Sequence, residues 1–234
     1  MTPRALIPHA ALALALLLGA CAKAPAPDSG FLSDPEKMAA EERFPFDHIW
    51  YDCEVDFQKY TEIMILPVNT EFLMEMRWWE EVSFPGDRRA GARELGFRLQ
   101  TRVFDAFQAD PNKRFTPIAF AAKEPDETTL VLEMALVDLV PTRPVLSVLG
   151  GPTGLGKGSL AIEGRFRDAH TGEVVAMFAD REEAQRSLVN VKDLTWYSHA
   201  KAIINMWADQ LVAVTNAGPE GVVERKPRFT LKPW

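Results

Sequence analysis

Two long runs of alternating side chains constrain the fold of this chain more than any other feature. From Thr128 to Val140, Leu130, Leu132, Met134 and Leu136 recur at every second position, with Glu133 between them. From Ser159 to Asp168, Leu160, Ile162 and Phe166 point one way, and Glu163, Arg165 and Arg167 the other. A period of two places successive side chains on opposite faces of a strand. Asp168-Ala-His-Thr-Gly-Glu173 has the composition of a hairpin turn, and Val174 to about Asp180 returns antiparallel. One face of this meander reads as core. The charges of the other suggest that it meets solvent.

The rest of the chain supplies a shorter strand–helix–strand unit and a final helix. Thr61 to Val68 is a brief apolar run stopped by Pro67, suited to a buried strand. Asp87 offers an N-cap to a helix reaching about Ala109, with Leu95, Leu99, Val103 and Phe107 at four-residue steps. Asp110-Pro111 ends it, and Phe115 to Phe120 reads as an edge strand because Pro117 cannot donate to a ladder. A second helix is predicted from about Val191 to Thr215, carrying Trp196, Ala200, Ile203, Trp207, Leu211 and Val214. The class is therefore α/β, more narrowly α+β. A single mixed, largely antiparallel sheet carries two main helices chiefly on one face, in the order β-α-β-β-β-β-α.

The N-terminus is of another kind. Arg4 precedes an apolar run, Ala10 to Leu18, that is too short to span a bilayer and has the layout of a secretory signal peptide. Leu18-Gly-Ala-Cys21 resembles the lipobox of bacterial lipoproteins. That resemblance implies cleavage before Cys21 and lipid on its sulfur and on the new amino terminus. Ala22 is not the aspartate that resembles an inner-membrane retention signal, which favours the periplasmic face of the outer membrane. The expected organisation is a signal peptide at 1–20, the lipidated Cys21 with a flexible or irregular tether through 48, a single globular periplasmic domain at 49–216, and a Pro/Gly/charged tail at 217–234.

The 234-residue chain has a net charge of −7, which argues against nucleic acid and against broad electrostatic docking on anionic lipid. With Cys21 lipidated, Cys53 has no intramolecular partner. It is then either a small buried hydrophobe or a free thiol able to pair between chains, and its neighbours Trp50, Tyr51, Val55 and Phe57 favour burial.

Several segments occur in an order that resembles an uncharacterised family of Gram-negative lipoproteins, the domain of unknown function numbered 3313. They are Phe31-Leu-Ser-Asp34, Ile65-Leu-Pro-Val68, Leu136 to Leu146, the glycine-rich stretch after it, and Asp168-x-x-Thr-Gly-Glu173. The resemblance spans roughly residues 31–215. It departs at Pro35 and in the long connection at 69–86. It implies an envelope location and supplies no reaction.

Motifs that carry chemistry are scarce. Gly151-Pro-Thr-Gly-Leu-Gly-Lys157-Gly-Ser159 nearly spells a phosphate loop. However, Gly158 stands where the magnesium-holding Ser or Thr belongs, and a strand follows where a helix N-terminus is needed. Nucleotide binding is therefore not expected. The glycines Gly151, Gly154, Gly156 and Gly158, with Lys157, read either as a strand connection or as a loop touching a partner or ligand. His48, His170 and His199 have no metal-ligand spacing. Asp138, on the face of the Leu130–Leu136 alternation, reads as a structural carboxylate. The insert from Glu71 to Phe84 concentrates Phe72, Met76, Trp78 and Trp79, side chains typical of binding hot spots. Such an insert either caps the core or meets a protein partner. No catalytic set, metal site or cofactor is predicted.

Three functions remain open. The first is a non-enzymatic envelope lipoprotein that binds a protein or serves structurally. The second is a periplasmic module for a hydrophobic or lipidic ligand, with a pocket lined by Trp196 and Trp207. The third is an enzyme of unfamiliar type. A filled core with exposed aromatics favours the first, a deep apolar pocket the second, and a deep polar cluster the third.

Overall fold

The computed structural model describes residues 26–75, 87–140, 158–183 and 200–225. Its elements are β1 (His48–Tyr51), β2 (Glu62–Ile65), α1 (Arg88–Gln108), β3 (Thr116–Ala119), β4 (Thr129–Val140), β5 (Ser159–Asp168), β6 (Val174–Glu183) and α2 (Ala200–Ala217). One six-stranded sheet has the order β1-β6-β5-β4-β2-β3. The meander β4–β5–β6 is antiparallel, while β2 lies parallel to both β3 and β4. The Pro117 strand is at an edge, as its missing donor requires. The predicted order holds, and β1 adds a strand at the other edge, antiparallel to β6.

Both helices bury their stripes in one cluster with one face of the sheet. Leu95, Leu99 and Val103 of α1 and Ile203, Trp207 and Leu211 of α2 meet Leu132, Met134, Leu136 and Ile162 there. Asp87 caps α1, accepting from the amides of Arg89 at 2.9 Å and Ala90 at 3.2 Å. Arg102 ties the helices together through Asn205 at 3.0 Å and Asp209 at 2.9 Å. Gly164 is required by close approach. A Cβ there would lie 2.2 Å from the Phe178 ring, which stacks on Phe46 at 4.7 Å.

The second face of the sheet differs from its solvent-facing expectation. Residues 26–39 run over it. The Ser29 hydroxyl and amide donate to the Glu163 carboxylate at 2.6 and 3.2 Å. Arg165 donates to the Phe31 carbonyl at 3.1 Å and lies 4.8 Å over the Phe31 ring. Ala26, Phe31 and Phe72 thereby cover Ala135, Val137 and Ala161. Burial of Glu163 raises its pKa, against the lowering effect of its Ser29 bonds. The segment read as an irregular lead-in also enters the main core through Phe44 and Phe46.

Two further expectations are corrected. Cys53 is exposed. The strand ends at Tyr51, and the chain turns at Asp52, whose side chain accepts from the Glu54 amide at 2.9 Å. The apolar neighbours of Cys53 therefore belong to the elements on either side of a turn. Asp138 lies on the opposite face from Leu130–Leu136. The register slips between Leu136 and Asp138, so that Asp138 pairs with Ala161 of the second face.

Candidate functional site

One end of the sheet holds the described residues that flank the predicted contact segments. β2, β4 and β6 run in one direction, and Val140, Ser159 and Glu183 form one row across three strands. Ala26 packs close by on Ala135, Val137 and Ala161. Cys21, Met76, Trp78, Trp79, Gly151, Gly154, Gly156, Lys157, Trp196 and His199 lie outside the described residues. Of the insert, Leu73 is fully buried in the main core, and Phe72 meets the Phe31 ring edge-on at 6.2 Å. Gly158 is buried at the start of β5.

Two ion-pair systems stand near this end. On the second face, Arg181 pairs with Asp138 at 2.5 Å and donates to the Ser159 hydroxyl at 3.3 Å. On the helix face, the fully buried Asp180 accepts from the Trp207 indole at 2.7 Å and from the Asp47 amide at 3.2 Å. Arg225 bridges Asp180, Asp47 and, at 3.5 Å, Glu182. Burial disfavours the Arg225 charge, but Asp180, Glu182 and Asp47 outweigh it and raise its pKa. Every charge in these systems is engaged by side chains of the fold, an arrangement suited to holding strands and tail together. The sequence gives no signal for Arg225, which sits in the segment read as a tail.

The opposite end holds the hairpin and the described cavity. Asp168 accepts from Lys59 Nζ at 2.7 Å, from the Tyr60 hydroxyl at 2.8 Å, and from the amides of His170 and Thr171 at 2.8 and 2.9 Å. Burial opposes its charge, but Lys59, the Thr171 amide, Tyr60 and the His170 amide together hold it well below the usual carboxylate range. Burial and the Asp168 bond push the Tyr60 hydroxyl up to about 12. His170 is exposed in the turn, as its position suggests.

The cavity lies between this end of the sheet and the C-terminus of α2. Phe44, Phe46, Phe57, Phe115 and Phe178 line it, and its volume is about 60 Å³. Arg114 stands in its wall, with one guanidinium nitrogen on the Phe57 carbonyl at 3.0 Å and the plane 5.2 Å over Phe115. The predicted lining by Trp207 is corrected. That ring is fully buried elsewhere in the core, where Asp180 satisfies its N–H. The lining phenylalanines, Phe166 among them, are dispersed over five segments, so no periodicity announces them. Phe97 and Phe120 are 68 % and 58 % exposed, on α1 and just after β3. Among the described residues, no helix is long and apolar enough to cross a membrane.

No curated protein matches the chain. Among solved structures, a PelC dodecamer from Paraburkholderia phytofirmans is similar at 11 % identity and a TM-score of 0.41, over 69 % of this chain and 95 % of that one. Protein XCC0632 from Xanthomonas campestris is similar at 10 % identity and 0.41, over 65 % and 82 %. Lipoprotein GNA1162 from Neisseria meningitidis follows at 9 % and 0.23, over 66 % and 99 %. Likeness at this level carries no functional argument. Residues 27–211 match the family described as protein of unknown function DUF3313. That is most of the chain, and the protein belongs to this family.

Proposed function

We propose that the protein is a lipoprotein anchored through Cys21 to the periplasmic face of the outer membrane, where it acts as a non-enzymatic, protein-binding or structural component of the envelope. The observation that carries the binding part of this reading is the close filling of the core among the described residues. Its aromatic-lined cavity is only about 60 Å³, whereas pockets for small molecules occupy roughly 300–1,000 Å³. Meanwhile Phe97 and Phe120 are largely exposed, and aromatic side chains are enriched at interface cores. The anchoring part rests on Leu18–Cys21 and on chain length. Only seven residues separate Cys21 from Ser29, which Glu163 pins to the second face, so the eight Cα steps between them hold Ser29 within about 29 Å of the membrane. The leash suits a component that works close to its own membrane.

The apolar lining of the cavity favours one second reading, a module for a hydrophobic ligand that widens the cavity on binding. Photo-crosslinking in intact cells separates the two. A photoreactive residue at position 97, 120, 78 or 79 should give one discrete, reproducible protein adduct. Adducts only to lipid, from a probe at the cavity, would support the second reading and overturn the first.

A further inference from the structure

We propose that the aromatic-lined cavity at the hairpin end is the socket for one aliphatic side chain of a protein partner, with a partner carboxylate meeting Arg114. The inference rests on the protein-binding reading and names the chemistry of the contact. The first argument is size. About 60 Å³ is far below the roughly 300–1,000 Å³ of a pocket that encloses a small molecule or lipid chain, so only the tip of a side chain can be seated there. A branched aliphatic side chain entering from the surface is the kind of group that such a space admits. Buried anchors of this type concentrate binding energy.

The second argument is charge. The two guanidinium ends of Arg114 donate to backbone carbonyls, those of Phe57 at 3.0 Å and Asn216 at 3.4 Å. Its charge meets no carboxylate among the described residues. Arg43, the other cation near the rim, is already paired with Glu41 at 2.8 Å. An unneutralised, half-buried guanidinium stacked on Phe115 beside an apolar hole matches an acidic residue next to an aliphatic one. The third argument is the wall. Val214, Thr215, Gly218 and Pro219, where α2 gives way to the following turn, form one side of the cavity, so the socket opens at a helix end rather than inside the sandwich of sheet and helices.

The test uses the full chain and three small probes. N-acetyl-leucine carries one aliphatic side chain beside a carboxylate, N-acetyl-leucinamide lacks the charge, and decanoate is a lipid-like chain. Methyl NMR of Leu130 and Val214, both in the cavity wall, reads occupancy. N-acetyl-leucine should give saturable millimolar shifts, and the amide should bind about threefold to fivefold more weakly. Arg114→Gln should abolish that difference. Ala176→Leu, which fills the cavity from β6, should abolish the shifts while leaving the circular dichroism spectrum unchanged. Absence of saturable shifts, equal binding of acid and amide to the wild type, or decanoate saturating first would overturn the proposal. If discrete in-cell adducts at positions 97 or 79 persist alongside such a failure, the protein-binding reading stands and this socket falls.

Discussion

Arg181 on β6 reaches over Ala161 on β5 to the Asp138 carboxylate on β4, 2.5 Å away. Both side chains are nearly buried, and only the methyl of Ala161 in the strand between leaves room for the crossing. Truncating one member of a buried pair leaves the other desolvated. Asp138→Ala should therefore cost about 2–4 kcal/mol, a fall in Tm of roughly 5–15 °C for a chain of this size. A shift within about 1 °C would show that the pair is only ornamental to the sheet.

The Asp168 hub predicts an acid-dependent component of stability. Its folded pKa lies below the ordinary value, so its contribution is complete above the unfolded pKa of about 3.9 and is lost as pH falls through the folded value. At pH 7, Asp168→Asn should cost about 2–3 kcal/mol, because Lys59 and Tyr60 lose their charged acceptor. The gap between the two melting curves should then narrow steadily from about pH 5 to pH 2. A gap independent of pH would refute the assignment.

The N-terminal strap should loosen separately from the core. Glu163→Ala removes the acceptor of both Ser29 bonds, while the apolar cluster on the helix face is untouched. Hydrogen exchange at residues 29–32 should accelerate on the order of tenfold, with Tm falling by no more than about 2 °C. Glu163→Gln keeps one acceptor and should lie near the wild type. Unchanged exchange in the alanine variant would mean that Phe31 and Leu32 alone hold the strap.

These relationships mark where the sequence was informative. The long alternations, the Asp87 cap and the Asp168–Glu173 turn could be read because each follows from local periodicity or a short-range hydrogen bond. The face of Asp138 could not, because one slipped residue after Leu136 reverses the alternation without any change of composition. Cys53 misleads for a similar reason, since its apolar neighbours straddle a turn. The strap over the second face and the docking of Arg225 on Asp47 and Asp180 depend on partners more than a hundred residues apart or on a tail of polar composition, and no window of sequence contains them.

Trp78 and Trp79 are proposed to divide the work of the insert, one packing inward and the other meeting the partner. Of its described residues, Leu73 is fully buried and Phe72 packs on the second face of the sheet. One Trp→Ala variant should lower Tm by several degrees, about 2–3 kcal/mol of lost packing. The other should leave melting nearly unchanged and weaken in-cell crosslinks. Equal, large destabilisation by both would make the insert core alone.

Anchoring is the claim on which the rest of the functional account depends, and metabolic labelling reads it directly. Cells expressing the full chain with labelled palmitate should yield a labelled protein shortened by the first 20 residues and recovered with outer membranes. Cys21→Ala should abolish the label and leave the precursor uncut. Palmitate incorporation that survives Cys21→Ala, or a wild-type chain that is never labelled, would contradict the account.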